Sequence, residues 1–186
     1  GTNPTDKTYI NGGLVKTIGA QTFNDPVVVG TAAVAPASVG VTQFVSTGNS
    51  SATPAVAAGT ITFANTLDGN NDVQVNTAGA TYFQAAVGGI TALNSLTTDL
   101  AAGTNPTDKT YINGGLVKTI TTQTFNDAVL VGAHTVFTST GNSAANPAVA
   151  AGEIKFANTL DGAYNVTVNT AAGTYFQAAV GGITAL

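Results

Sequence analysis

Apolar and polar residues alternate along much of the chain in short runs. Asp72-Val-Gln-Val-Asn-Thr77 and Asn165-Val-Thr-Val-Asn-Thr170 change character at every step, as do Thr60-Ile-Thr-Phe63 and Glu153-Ile-Lys-Phe156. A period of two is that of a half-buried β-strand, and helical periodicity is almost absent. Thr, Val, Ile, Phe and Tyr fill the runs, and β-branched and aromatic side chains suit a pleated surface. Asn11-Gly12-Gly13, Gly48-Asn49, Asp68-Gly69 and Gly88-Gly89 punctuate them with residues that tolerate positive φ. The alanine clusters at 55–58 and 148–151 follow Pro54 and Pro147 and end at Gly59 and Gly152. They predict tight corners.

Two long copies underlie the pattern. Residues 1–18 recur unchanged at 103–120, an offset of 103 − 1 = 102, while the later motif at 46–50 recurs at 139–143, an offset of 139 − 46 = 93. The second copy is therefore shorter by 102 − 93 = 9 residues, and the difference falls in an extra segment near 32–40 that contains Pro36 and Gly40. The copies span 1–102, with a linker at 94–102, and 103–186. Within each runs a finer rhythm of a large apolar residue followed four positions later by Leu or Val. It appears at Ile10/Leu14, Phe23/Val27, Phe63/Leu67 and Phe83/Val87, and again at Ile112/Leu116, Phe125/Val129, Phe156/Leu160 and Phe176/Val180. With Phe44 and Phe137 added, the spacings cluster near twenty: 44 − 23 = 21, 63 − 44 = 19 and 83 − 63 = 20.

A supersecondary period of about twenty residues predicts an all-β, right-handed parallel β-solenoid (β-helix) of stacked coils, about five in the longer copy. In such a stack the phenylalanines lie above one another and every backbone group pairs with the coils on either side. The alternative is a tandem pair of immunoglobulin-like sandwiches of roughly 100 residues each. A sandwich has no need of equivalent Phe-x-x-x-Val units inside one domain.

Charge sharpens this picture. Only 8% of the 186 residues are charged, against roughly 25% in an ordinary soluble domain. Side chains on adjacent rungs sit only about 4.8 Å apart, where like charges repel and neutral Thr, Asn and Ser hydrogen-bond along the stack. With 44% hydrophobic residues the composition is not that of a disordered tail. All five cations are lysines and the net charge is −4, so there is no basic patch to neutralise phosphates and no nucleic-acid partner is expected. The apolar runs are far shorter than the roughly 20 residues of a membrane-spanning helix. Cysteine is absent, and with it disulfide and thiolate chemistry.

Candidate chemistry is sparse, and no catalytic, cofactor or metal residue is assigned. His134, the single imidazole, reads as a surface or turn residue. Asp68, Asn70 and Asp72 resemble the first half of a calcium loop, but Val73 stands where glycine is required and the second copy keeps only Asp161 and Asn165. A coil turn is the expected role. The carboxylates Asp25, Asp68 and Asp99 read as scattered turn residues, and Asp6-Lys7 and Asp108-Lys109 as solvated turn pairs, so no cleft for glycoside hydrolysis or elimination is expected. Asn49-Ser-Ser and Asn165-Val-Thr match the glycan-acceptor pattern at unrelated places in the two copies. Thr60/Thr62 and Thr122/Thr124 have the outward spacing of an ice-binding face, yet Thr62 becomes Lys155 and Thr122 corresponds to Ala20.

YINGGLVKT, QTFNDxVxVG, STGN, ITFANTLDG, VxVNTAG, TYFQAAVGGITAL and NSLTTD together resemble the tandem repeats of large secreted bacterial surface proteins, the filamentous-haemagglutinin-like adhesins and related β-strand-repeat proteins. The resemblance covers essentially the whole chain. It implies an extracellular, fibrous, non-enzymatic role as a stalk, spacer or fibre-forming unit, with no cofactor. With no atypical capping unit visible, the expected partners are neighbouring repeats or identical subunits stacked end to end. The alternative role is a binding module, for ice or for a host or cell-surface glycan, using exposed tyrosines among Tyr9, Tyr82, Tyr111 and Tyr175.

Overall fold

A computed structural model describes residues 6–30, 40–99 and 108–186. Among these the molecule is all β, without a helix, and every strand-to-strand ladder is parallel. The chain visits three ladders in strict rotation. The first holds β1 (Thr8–Ile10), β4 (Val27–Val29) and β7 (Leu67–Gly69), then Val87, then β12 (Leu116–Thr119), β15 (Thr135–Ser139) and β18 (Val166–Asn169). The second holds β2 (Leu14–Thr17), β5 (Val41–Ser46), β8 (Asp72–Thr77), β10 (Ser95–Thr98), β13 (Gln123–Phe125), β16 (Ile154–Phe156) and β19 (Thr174–Phe176). The third holds β3 (Gln21–Phe23), β6 (Ile61–Phe63), β9 (Thr81–Phe83), β11 (Lys109–Ile112), β14 (Ala128–Val131) and β17 (Leu160–Gly162), closing with Val180. Nineteen strands and two single-bridge segments, 19 + 2 = 21, make seven circuits of three.

The shortest circuits are close to the predicted twenty residues: Thr8 pairs with Val27, 19 on, and Ile61 with Thr81 and Leu116 with Val136, each 20 on. Other circuits are longer because they carry lateral excursions. Val136 pairs with Thr167, 31 residues on, across a loop at 140–153 pinned by an antiparallel Asn142–Val149 bridge, and an Asn49–Val56 bridge marks its counterpart. The alanine clusters lie in these two exposed arms instead of the expected tight corners, since a bridge two strands wide needs residues on both sides of its turn. Lengthened circuits also reduce the expected five coils per copy. The extra segment is outside the described residues except for Gly40, and so is 100–102 of the linker, whereas Ser95–Thr98 of that linker is a strand.

Inward columns from the three ladders meet in one hydrophobic cluster. On the third ladder Phe23, Phe63 and Phe83 stack at 5.2 and 5.3 Å, with Phe44 from the second ladder set edge-on against Phe23 and Phe63. In the second copy Phe125, Phe156 and Phe176 stack on the second ladder, with Phe137 of the first set edge-on. The buried Gln21 and Gln123 repeat the same relation. Gln21 Nε2 donates to the Val15 and Val45 carbonyls and to Thr17 Oγ1; Gln123 Nε2 donates to the Val117 and Thr138 carbonyls and to Thr119 Oγ1. Equivalent packing thus recurs one ladder away.

The cause is a count. From β1 to β11, its counterpart, the chain lays down eleven segments, one fewer than four whole circuits. The copy boundary is no gap in pairing, because Thr81–Phe83 pairs with Thr110–Ile112, Leu96–Thr98 with Gln123–Phe125, and Val87 with Val117.

Candidate functional site

Three buried carboxylates meet at the corner between the second and third ladders, where the copies join. Strand parity places two carboxylates there. Asp108 is in phase with the inward Thr110 and Ile112, and Asp127 with the inward Val129 and Val131. Asp99 arrives differently. It follows the inward Thr98 and would point outward, but its φ of 47° breaks the alternation, a conformation that Asp tolerates better than most residues. All three are buried, at 2%, 6% and 2% exposure for Asp99, Asp108 and Asp127, and each offers an oxygen within 4.8 Å of the others.

Their hydrogen bonds are incomplete. Asp99 Oδ1 accepts from the Thr77 amide of the preceding circuit at 2.8 Å, while its Oδ2 has no partner. Asp127 accepts from Thr98 Oγ1 at 2.9 Å and, through both oxygens, from Thr110 Oγ1. Asp108 Oδ1 has no partner, and neither has Thr81 Oγ1, next to Thr110 on the third ladder. Asn126 holds the corner by donating to the Thr98 and Asp99 carbonyls. Burial raises the Asp99 pKa to about 8, against the Thr77 hydrogen bond and with help from the charges of Asp127 and Asp108. Burial and Asp127 raise Asp108 to about 6, and burial raises Asp127 despite its threonine donors. Only oxygen converges here, the donor set of a hard cation or of shared protons.

The cluster is composite. Asp99 belongs to the first copy and Asp108 and Asp127 to the second. The first-copy counterparts are Asp6 (108 − 102) and Asp25 (127 − 102); Asp6 is exposed and Asp25 half-buried. The expectation that Asp99 and Asp108 are scattered or solvated turn residues is therefore corrected for this junction. In sequence they stand 9 and 19 positions apart from Asp108 to either side, and only the stacking of circuits joins them. The inward phase of Asp108 with Thr110 and Ile112 was the available signal.

The other candidates serve the coil. Asp68 Oδ1 accepts from the Ile90 and Thr91 amides, and Asp161 Oδ1 from those of Ile183 and Thr184, bonds that hold the Asp161 carboxyl below its ordinary range. Asp72 accepts from Asn94 Nδ2 and Ser95 Oγ, so Asp68 and Asp72 bond different parts of the neighbouring circuit. His134 is exposed; its Nδ1 accepts from the Asn165 amide and its ring meets Tyr164 edge-on. The four tyrosines share no single face. Tyr9 stands on the first ladder and Tyr175 on the second, while Tyr82 and Tyr111 stack at 4.5 Å on the third. In the column through Thr22 and Thr62 the next members are Tyr82 and Tyr111, which ends any threonine array. Among the described residues no helix is long and apolar enough to cross a membrane. The chain matches no protein-family model, no curated protein and no solved structure.

Proposed function

We propose that this chain is a non-enzymatic structural segment: a right-handed parallel β-solenoid whose copies stack end to end as the stalk, spacer or fibre-forming unit of a secreted bacterial surface adhesin or extracellular filament. One observation carries the reading. Apart from the strand Ser95–Thr98, which residues 103–186 do not repeat, the surfaces bare at the two ends of the stack are the counterparts of those joined at the copy boundary. Phe83 and Val87 are fully buried beneath the second copy, whereas their counterparts Phe176 and Val180 are exposed by 46% and 45%. At the other end Tyr9 and Leu14 are exposed, while their counterparts Tyr111 and Leu116 are half-buried against the preceding circuit.

Gly12 and Gly114 make the same point through shape. A Cβ on Gly114 would lie 2.0 Å from the Ala85 backbone carbon, so the junction requires glycine there. Around Gly12 there is nothing within 4 Å, yet the residue is the same. A preceding copy would place its counterpart of Ala85 against it.

The two glycines supply the test. Wild-type chain at rising concentration is expected to form filaments visible by negative-stain microscopy. Gly12→Val should abolish them while leaving the thermal unfolding midpoint unchanged. Gly114→Val, overpacking an occupied junction, should cost about 1–3 kcal/mol of stability. Filaments as long from Gly12→Val as from wild type would sink the end-to-end reading. Immunogold labelling of intact source cells tests the extracellular placement, with label expected outside the envelope; label confined to the interior would count against it.

A further inference from the structure

We infer that Asp99, Asp108 and Asp127 bind one divalent cation, of the calcium class, at the junction between adjacent copies. Three independent segments deliver a carboxylate to one corner, with an oxygen of each within 4.8 Å of the others. Two of these carboxylates are more than nine-tenths buried and retain an oxygen with no partner, Asp99 Oδ2 and Asp108 Oδ1. Buried carboxylate oxygens are ordinarily satisfied, because leaving one bare costs its full desolvation penalty. A cation satisfies all of them at once.

The donor chemistry selects the ion. Oxygen alone, with neither imidazole nor thiolate in the group, favours a hard cation. Calcium binds oxygen at about 2.3–2.6 Å, so oxygens on opposite sides of it stand about 5 Å apart, which accommodates the spread observed; magnesium, at about 2.0–2.1 Å, requires a tighter set. Thr98 and Thr110 orient Asp127 by donating to it, and the Thr77 amide orients Asp99, so each hydroxyl and amide acts as a positioning group.

The site depends on two copies being stacked, and that stacking exists within this single chain. It stands apart from the proposal of a secreted stalk. In an array of full copies of residues 1–102, each new junction adds one site, because an incoming copy brings the counterparts of Asp108 and Asp127 to the Asp99 of the copy before it.

Calorimetric titration of CaCl2 into chelator-treated full chain at about pH 8 is expected to give one ion per chain and to raise the unfolding midpoint, with Mg²⁺ weaker. Asp99→Asn and Asp127→Asn, close in shape to the native residues, should each weaken binding at least about tenfold. Asp6→Asn, on the unjoined end, should bind like wild type. Absence of both heat and a midpoint shift at about millimolar Ca²⁺ would overturn the site and leave a cluster held by protons alone. Undiminished binding by Asp99→Asn would overturn it as well. If Asp127→Asn fails to fold, Asp99→Asn and the wild-type midpoint shift still decide. Filament formation is read separately, so the two proposals fail independently.

Discussion

A single backbone angle determines whether the junction has a carboxylate cluster. Were φ at Asp99 negative like that of Thr98 before it, its side chain would face solvent and Asp108 and Asp127 would form a pair. With the carboxyl inside, the folded chain holds protons that the unfolded chain releases. Asp99 titrates near 8 when folded, against an ordinary value near 3.8, and Asp108 near 6. Between the unfolded and folded values the native state binds more protons, so stability in chelator is greatest near the acid end of that window, falls as the pH rises through about 8, and then levels. Among the described residues the groups facing Asp99 are Asp108, Asp127 and the Thr77 amide, with no cation to reverse this sign. Thermal unfolding in chelator across pH 5–9, which spans the Asp99 pKa of about 8, checks it, and Asp99→Asn should flatten most of the slope. A midpoint that rises over this range would contradict the buried, uncompensated cluster.

Strands are where sequence and structure agree most closely, and their spacing is where they part. Alternation in Asp72–Thr77 and in Ile154–Phe156 locates both strands, and Phe63 and Phe83, 20 apart, are true neighbours on one ladder. Phe44 misleads. It stands 21 after Phe23 and 19 before Phe63, as a rung between them should, yet it belongs to another ladder and meets both rings edge-on. Phe23 and Phe63 are themselves adjacent, although they stand 40 positions apart in the chain. Sequence spacing cannot separate a rung from an excursion, because a loop that leaves and re-enters at one corner changes the count without changing the stack. Ser46 and Ser139 close these necks: each hydroxyl accepts from the glycine that ends the arm, Gly59 or Gly152, and donates to a carbonyl of an adjacent circuit, Gly19 or Thr121. Loops that re-enter in place are energetically separable from the ladders beside them. Deleting 141–151 and joining Thr140 to Gly152 should therefore preserve the β circular-dichroism spectrum and change stability by no more than about 1 kcal/mol. Loss of cooperative unfolding in that variant would show that the arm is part of the core.

At the scale of the whole molecule the odd segment count becomes a symmetry. Eleven segments per copy on three ladders leave each copy one ladder short of a whole number of circuits, so equivalent residues wind around the stack and return to the same ladder after three copies. Neutrality on the outside follows the same geometry. The outward column of the second ladder runs Leu14, Gln43, Gln74, Thr97, Thr124, Lys155, Tyr175, with Gln43 Nε2 donating to Gln74 Oε1 at 2.7 Å and one charge in seven positions. Because the columns mix residue types from copy to copy, no face among the described residues presents a uniform array of any side chain, which weighs against a flat ligand and favours a body that is alike on all sides. A chain of many tandem copies of residues 1–102 should form a rod with about 4.8 Å per circuit, hence about 18 Å per copy and about 53 Å per three copies. Successive copies should be displaced around the axis by about a third of a turn, apart from the twist that parallel strands add. Helical reconstruction from cryo-electron micrographs measures both quantities. Copies aligned without rotation, or an axial advance of whole circuits, would mean that a twelfth segment is inserted at each junction and that the cluster of Asp99, Asp108 and Asp127 does not recur along the array.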